Sequence, residues 1–163
     1  MSFRQFLETT TAAGQLLTVP QEVDPCLEIA ALIHGLGERP VLFERVRGSQ
    51  YAVAAGLCSS RELLALGLGV TKQRTLLALA EALRNPVRPA TTASAPCQEV
   101  VEQVVDLTTL PILTHLPGDG GPYVTAGVAI VKDPELGRNM CFHRLMRLDE
   151  RHFAARIVER RGT

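Results

Sequence analysis

Residues 111–131 read Pro111-Ile112-Leu113-Thr114-His115-Leu116-Pro117-Gly118-Asp119-Gly120-Gly121-Pro122-Tyr123-Val124-Thr125-Ala126-Gly127-Val128-Ala129-Ile130-Val131. A loop with three glycines and two prolines, 117–122, runs straight into an apolar strand. Glycine lets a backbone approach a ligand closely and adopt dihedrals closed to other residues. The same composition equally describes a structural turn before a strand. Taken alone, the stretch names no function.

Downstream of it the apolar pattern alternates, as in strands. Tyr123 to Lys132, Asn139 to Leu148 and Phe153 to Val158 are strand candidates, with turns at Asp133-Pro134-Glu135-Leu136-Gly137 and Asp149-Glu150-Arg151. Glu99 to Val105 is a further candidate upstream. Residues 86–97 hold Pro86, Pro89 and Pro96 among Thr, Ser and Ala, the composition of a linker or extended loop.

Before the linker the period is helical. Ser2 can cap a helix over residues 3–13 that stops at Gly14. Gln15 to Val19 is a short strand candidate. Asp24-Pro25 predicts the start of a helix over 25–36, with Asp as cap and Pro in the first turn. Ile29, Leu32, Ile33 and Leu36 give it a buried stripe, and Gly35 and Gly37 end it. Pro40 to Val46 and Tyr51 to Ala55 read as strands around an Arg47-Gly48-Ser49 turn. Ser59-Ser60-Arg61-Glu62 predicts a capping box for a helix over 60–68, ending near Gly69. Thr71 can cap a helix over 71–84 that carries Leu76, Leu79, Ala80 and Leu83 on one face and ends at Asn85-Pro86. Helices first and a meander later predict an α+β fold rather than alternating parallel βαβ units. The implied organisation is an N-terminal α/β segment over 1–85, a linker over 86–97, and a second unit starting at 98.

The 163 residues include 17 acidic and 17 basic side chains, for zero formal charge, so no broad basic field invites nucleic acid or an anionic membrane. No apolar run nears the roughly 20 residues of a membrane span. The first residues lack a basic segment followed by a long apolar core, so they do not read as a secretory signal, and the cytosol is the expected compartment. Cys26, Cys58, Cys97 and Cys141 form no CxxC pair, which suits reduced, mostly packed thiols better than zinc ligands.

The stretch Pro117 to Gly127, followed by Lys132-Asp133-Pro134 and a strand from Asn139, resembles the characteristic loop and strand of the UbiD family. The N-terminal part is similar too: Phe3-Arg4-Gln5-Phe6-Leu7, Gly14-Gln15-Leu16, Glu22-Val23-Asp24-Pro25 with Glu28-Ile29-Ala30, and Pro40-Val41-Leu42-Phe43-Glu44 leading to Gly48-Ser49. The resemblance covers essentially the whole chain. It implies a reversible decarboxylase of unsaturated or aromatic carboxylic acids that uses prenylated flavin mononucleotide, a divalent cation (usually manganese) and potassium. It implies a flavin-binding split β-barrel, begun here over 98–163, followed in the family by a C-terminal domain that usually serves oligomerisation. A flavin prenyltransferase would supply the cofactor, and a homo-oligomer is the expected assembly at full length.

Carried over by position, Asn139 matches a metal-ligand asparagine, and an amide oxygen is a hard donor suited to manganese. Arg144 matches the arginine beside flavin and substrate carboxylate, where a guanidinium forms paired hydrogen bonds and stays charged. The resemblance also lays Cys141, Phe142 and His143, between them, along the cofactor, and Thr125 near the flavin. Without it, Asn139 reads as a turn residue and Arg144 as a solvated strand arginine. On one continuous strand a separation of five sets Asn139 and Arg144 on opposite faces, so both serve one site only through a bulge or a strand end. Asn139 and His143 would share a face.

The family's metal-ligand histidine falls near Arg156-Ile157-Val158-Glu159-Arg160-Arg161-Gly162-Thr163, where no histidine stands; His152 comes too early, in the turn. The acid–base glutamates and the metal glutamate are not identifiable. Two readings stay open: the N-terminal part of a carboxy-lyase, inactive by itself, or a truncated, non-catalytic flavin-binding or interaction module. An unrelated flavin oxidoreductase is a third, but no GxGxxG signature supports it.

Overall fold

The computed structural model describes residues 1–37 and 39–157. Helix α1, Phe3–Ala12, begins at Ser2 with a full capping box: Ser2 Oγ accepts from the Gln5 N–H, and Gln5 Oε1 accepts from the Ser2 N–H at 2.8 Å. Ala13 is its C-cap, and Gly14 follows with φ +66°, a conformation open to glycine.

Strand β1, Leu17–Val23, starts and ends later than the Gln15 to Val19 predicted for it. It pairs in parallel with β2, Val41–Val46, and β2 pairs antiparallel with β3, Val53–Ala55, giving sheet order β1-β2-β3. The β1–β2 register shifts between Val19 and Glu22, where Pro20 has no N–H to give a ladder. Helix α2, Glu28–Gly35, joins β1 to β2. The molecule therefore contains one parallel βαβ unit that the pattern of helices before strands did not predict. Gly48, φ +75°, turns the chain between β2 and β3, with the Ser49 N–H donating to the Val46 carbonyl.

The start of α2 also differs from expectation. Leu27, not Asp24, is the N-cap, at φ +68° and without a side-chain cap bond. Asp24 instead accepts from the Cys26 N–H, and the Glu28 carboxylate reaches back to the Asp24 N–H. The detour is tied from outside: the Leu27 N–H donates to Thr114 O at 2.9 Å and the Thr114 N–H to Pro25 O at 3.1 Å. A contact 87 residues distant along the chain sets this helix start, and no local signal carries it.

Helix α3, Arg61–Leu68, is capped by Ser60 Oγ on the Leu63 N–H rather than by a Ser59–Glu62 box, and Gly69 closes it at φ +69°. The next helix opens as a 3₁₀ turn, Lys72–Arg74, without a Thr71 side-chain bond, and continues as α4, Thr75–Arg84.

The core lies between α2 and the first sheet: Val23, Ile29, Val41, Phe43 and Val46, joined by Leu113 from beyond the linker. Ile33 and Leu36 pack against it as the helical period predicts, whereas Leu32 turns outward. On α4 the expected apolar face lies open, with Leu76 74% and Leu83 85% exposed.

The strand-like part departs most from expectation. Residues 99–105 are irregular, following a 3₁₀ turn at Pro96–Gln98. Their side chains are exposed, so the β-branched run there has no partner strand to select it. The two long strand candidates each split: Tyr123–Val124 is β4 and Val128–Asp133 is β5, while Gly137–Phe142 is β6 and Leu145–Arg147 is β7. With β8, Phe153–Ala155, they form a sheet of order β4-β7-β8 and a separate β5–β6 hairpin. Val158, the expected end of the last strand, lies outside the described residues. Three of the four thiols, Cys26, Cys58 and Cys97, are exposed rather than packed, and all four are free.

Candidate functional site

The break in both long strands builds the site. β5 and β6 pair from Val128↔Phe142 to Asp133↔Gly137. The chain then leaves that ladder at His143, whose N–H donates to Gly127 O at 3.1 Å, and joins β4 at Leu145. A Cβ added at Gly127 would stand 3.1 Å from His143 O, so a bare α-carbon lets these crossing segments touch. Gly120 and Gly121 serve the same end one layer away, where added Cβ atoms would meet Met146 at 3.2 and 3.5 Å. Gly120 and Gly121 thus make room for β7 and Gly127 for His143, while Gly118 stands open, and none of the four has a positive φ. Asp119 secures the loop by accepting from the His115 and Leu116 N–H groups at 3.2 and 2.9 Å.

A cavity of about 540 Å³ opens at this junction, lined by Tyr123, Phe142, His143, Arg144, Met146 and Ala154 to Arg156. Three predicted residues, Phe142, His143 and Arg144, meet there. The Arg144 guanidinium carbon lies 4.7 Å from the Tyr123 ring centroid, within cation–π range. The aromatic face fixes a flexible cation, and no described carboxylate forms an ion pair with it. A planar, always-charged donor beside Phe142, Tyr123 and Met146 suits a carboxylate attached to an unsaturated or aromatic body.

Other candidates fall elsewhere. Thr125 lines a second, more apolar cavity of about 620 Å³, with Ile33, Val53, Leu113, His115 and Tyr123 among its walls. Tyr123 is the wall between the two. Asn139 lies opposite Val131 on the exposed hairpin and lines neither cavity. Cys141 is half-buried, its Sγ 3.9 Å from Ala129 O. His152 is held in its turn by Asp149 at 2.9 Å, away from the cavity. The described residues gather no group of three or more His, Cys, Asp or Glu side chains, so they do not form a metal shell by themselves. An aromatic and cationic cavity fits a flavin nucleotide better than it fits a bare cation.

Tyr123, Met146 and Arg156 are lining residues to which the sequence reading gave no role. Only the strand pairing brings them together: Tyr123 lies opposite Met146, and β8 beside β7 ends next to Arg156.

Residues 7–83 match the 3-octaprenyl-4-hydroxybenzoate carboxy-lyase N-terminal domain, and residues 88–163 its Rift-related domain. The anhydromevalonate phosphate decarboxylase of Methanosarcina mazei is 40% identical over 164 residues, covering all of this chain and 37% of that protein. An evolved dimeric form of the UbiD-class enzyme HmfF from Pelotomaculum thermopropionicum, in complex with prFMN, superposes with a TM-score of 0.91 at 39% identity, over 98% of this chain and 39% of that one. The apo 3,4-dihydroxybenzoic acid decarboxylase AroY of Klebsiella pneumoniae gives 0.85 at 26% identity, over 97% and 37%. The chain thus spans less than two-fifths of the length of these relatives, and along that span it belongs to the UbiD family of carboxy-lyases.

Proposed function

We propose that this chain is the N-terminal part of a carboxy-lyase that reversibly decarboxylates an unsaturated or aromatic carboxylic acid with prenylated flavin mononucleotide. The observation that carries the reading is Arg144, seated over Tyr123 in a cavity it shares with Phe142 and Met146, without a carboxylate partner among the described residues. Its N–H groups hold the acid's carboxylate in one orientation, with the half-buried Met146 beside the carbon that will lose it. Decarboxylation breaks the bond to the carboxyl carbon, leaves its electron pair on the neighbouring carbon, and requires a proton there afterwards. The prenylated flavin, when bound, supplies the sink for that pair.

The described cavity walls include no Asp or Glu, so a carboxylic proton donor must come from outside them. Units at 1–85 and 98–163 around an 86–97 linker, a split-barrel flavin domain, manganese held in part by Asn139, potassium, cofactor supply by a prenyltransferase, a cytosolic setting and homo-oligomerisation all belong to this proposal. The likeness of the chain to prFMN-bound HmfF supports the cofactor assignment. The non-catalytic module is the weaker reading, because the site keeps its arginine and aromatic walls.

The test is reconstitution. The full-length enzyme carrying this chain, loaded with prenylated flavin and manganese, should release carbon dioxide from aryl or acryl acids, and the 163-residue chain alone should release none. Release by the short chain would overturn the split of labour; no release by the full-length enzyme across such acids would overturn the assignment.

A further inference from the structure

A short strip, residues 113–114, joins the first sheet to the sheet of β4, β7 and β8. Two isolated bridges meet on it: Cys26↔Thr114 runs parallel and Leu113↔Tyr123 antiparallel. Thr114 gives both backbone groups to the bend after β1. Its N–H donates to Pro25 O at 3.1 Å, and its carbonyl accepts from the Leu27 N–H at 2.9 Å. Leu113, part of the buried core, accepts from the Tyr123 N–H at 2.8 Å. On its other flank Tyr123 pairs with Met146 of β7. β4 is two residues long, so these two flanks settle where the Tyr123 ring stands. The ring in turn lies under the Arg144 guanidinium, its centroid 4.7 Å from the guanidinium carbon.

The far end of this row is strained. Leu27 has φ +68° and ψ −36°, and the Glu28 N–H donates to Cys26 O at 2.9 Å around it. That bond closes a γ-turn of positive φ, the rare and strained form. Among the described residues Leu27 alone has a positive φ without being glycine. Such strain persists only where the surroundings over-determine it. Here Asp24 accepts from the Cys26 N–H, Glu28 accepts from the Asp24 N–H, and Arg47 holds Asp24 at 2.7 Å. With Leu27 bent this way, its N–H meets Thr114 O. We infer that Leu27 and Tyr123 are positioning residues for Arg144: the strained turn fixes 113–114, that strip fixes Tyr123, and the Tyr123 ring holds the guanidinium where the acid's carboxylate binds. The inference rests on the reading of the Arg144 cavity as the acid site. Leu27 lines no part of that cavity, so it acts only through the row.

The full-length enzyme carrying this chain, loaded with prenylated flavin and manganese, is titrated with benzoate by calorimetry, and flavin absorbance is recorded on each sample. Tyr123→Leu should weaken benzoate about five-fold, the scale of a cation–π contact. Tyr123→Phe keeps the ring face and should retain most of the affinity. Leu27→Pro removes the N–H and forbids a positive φ. It should weaken benzoate as much as Tyr123→Leu does, at parental flavin content. Leu27→Gly keeps the N–H and admits the φ, so it should bind as the parent does. In the double variant Leu27→Pro/Tyr123→Leu the loss should stay near about five-fold, because both changes break one row, whereas independent sites would multiply to about 25-fold. Where Leu27→Pro does not fold, Leu27→Val takes its place in both single and double variants. A β-branched residue resists a positive φ, and Leu27→Val should weaken benzoate at least about two-fold. Parental affinity in the Leu27 variant, a multiplied loss in the double variant, or Tyr123→Phe as weak as Tyr123→Leu would each overturn the inference. If Arg144→Gln abolishes benzoate binding while the Leu27 and Tyr123 variants bind normally, the acid site stands and only the inference falls. If benzoate ignores Arg144→Gln, or does not bind the parent, both fall.

Discussion

Arg144 and Asn139 show what residue-scale reasoning can carry. Strand alternation sets them on opposite faces, and that parity holds only along an unbroken strand. β6 ends at Phe142 and β7 begins at Leu145, so His143 and Arg144 both line the cavity although they are neighbours. Asn139 remains on the hairpin across from Val131. In the full-length enzyme, Asn139→Ala is expected to lower manganese and, with it, flavin content, since a hard cation loses one oxygen donor. Metal analysis and flavin absorbance of the purified variant check this, and unchanged contents return Asn139 to a plain hairpin role. In the core the expectation is simpler. Phe43 is fully buried among Val23, Ile29, Val41 and Leu113. Phe43→Ala should cost about 3–5 kcal/mol, read from the denaturant midpoint, because the cavity it leaves cannot collapse between a sheet and a helix. A loss under about 1 kcal/mol would show that this core is not what holds the first sheet.

At the scale of elements, the helices were legible and the strands only in part. Ser2, Gly14, Ser60 and Gly69 are local signals, and the structure uses each at or within a residue of its expected place. The strands after residue 98 depend on partners far along the chain, and a valine-rich segment such as Val100 to Val105 cannot announce that it has none. The start of α2, tied to Thr114, was hidden for the same reason. Turns fared better because Asx chemistry is local. Asp133 accepts from the Glu135 and Leu136 N–H groups at 2.8 and 2.7 Å in the β5–β6 turn. The Leu136 bond and then the Glu135 bond lower its pKa from the usual 3.8. A depressed carboxylate stabilises the fold above its unfolded pKa, and that contribution disappears as pH falls through the lower, folded value. The hairpin should therefore keep its turn down to pH 3.8 and loosen below it, with Asp133→Ala removing the pH step. Amide exchange of Leu136 against pH checks this, and protection that does not change between pH 5 and 2 (a span of about three units) would contradict it.

At the scale of the whole molecule, large apolar side chains stand open on α4 and on the β5–β6 hairpin, among other places. Leu76 and Leu83 are exposed on α4, and Ile130, Met140 and Phe142 on the β5–β6 hairpin, at 61%, 64% and 79%. A two-stranded ribbon with apolar residues in water is marginal alone. The chain spans 37% of the length of the Methanosarcina relative. Within the described body the Arg144 cavity, proposed above as the acid site, forms where β6 hands over to β7. The most direct measurement compares Arg144→Ala and Arg144→Lys with the parent full-length enzyme, recording flavin absorbance and carbon dioxide release on the same samples. The account predicts near-parental flavin in both variants, with turnover lost in Arg144→Ala and poorly restored by Arg144→Lys, since an ammonium cannot reproduce the planar fork. Normal turnover by Arg144→Ala would contradict it.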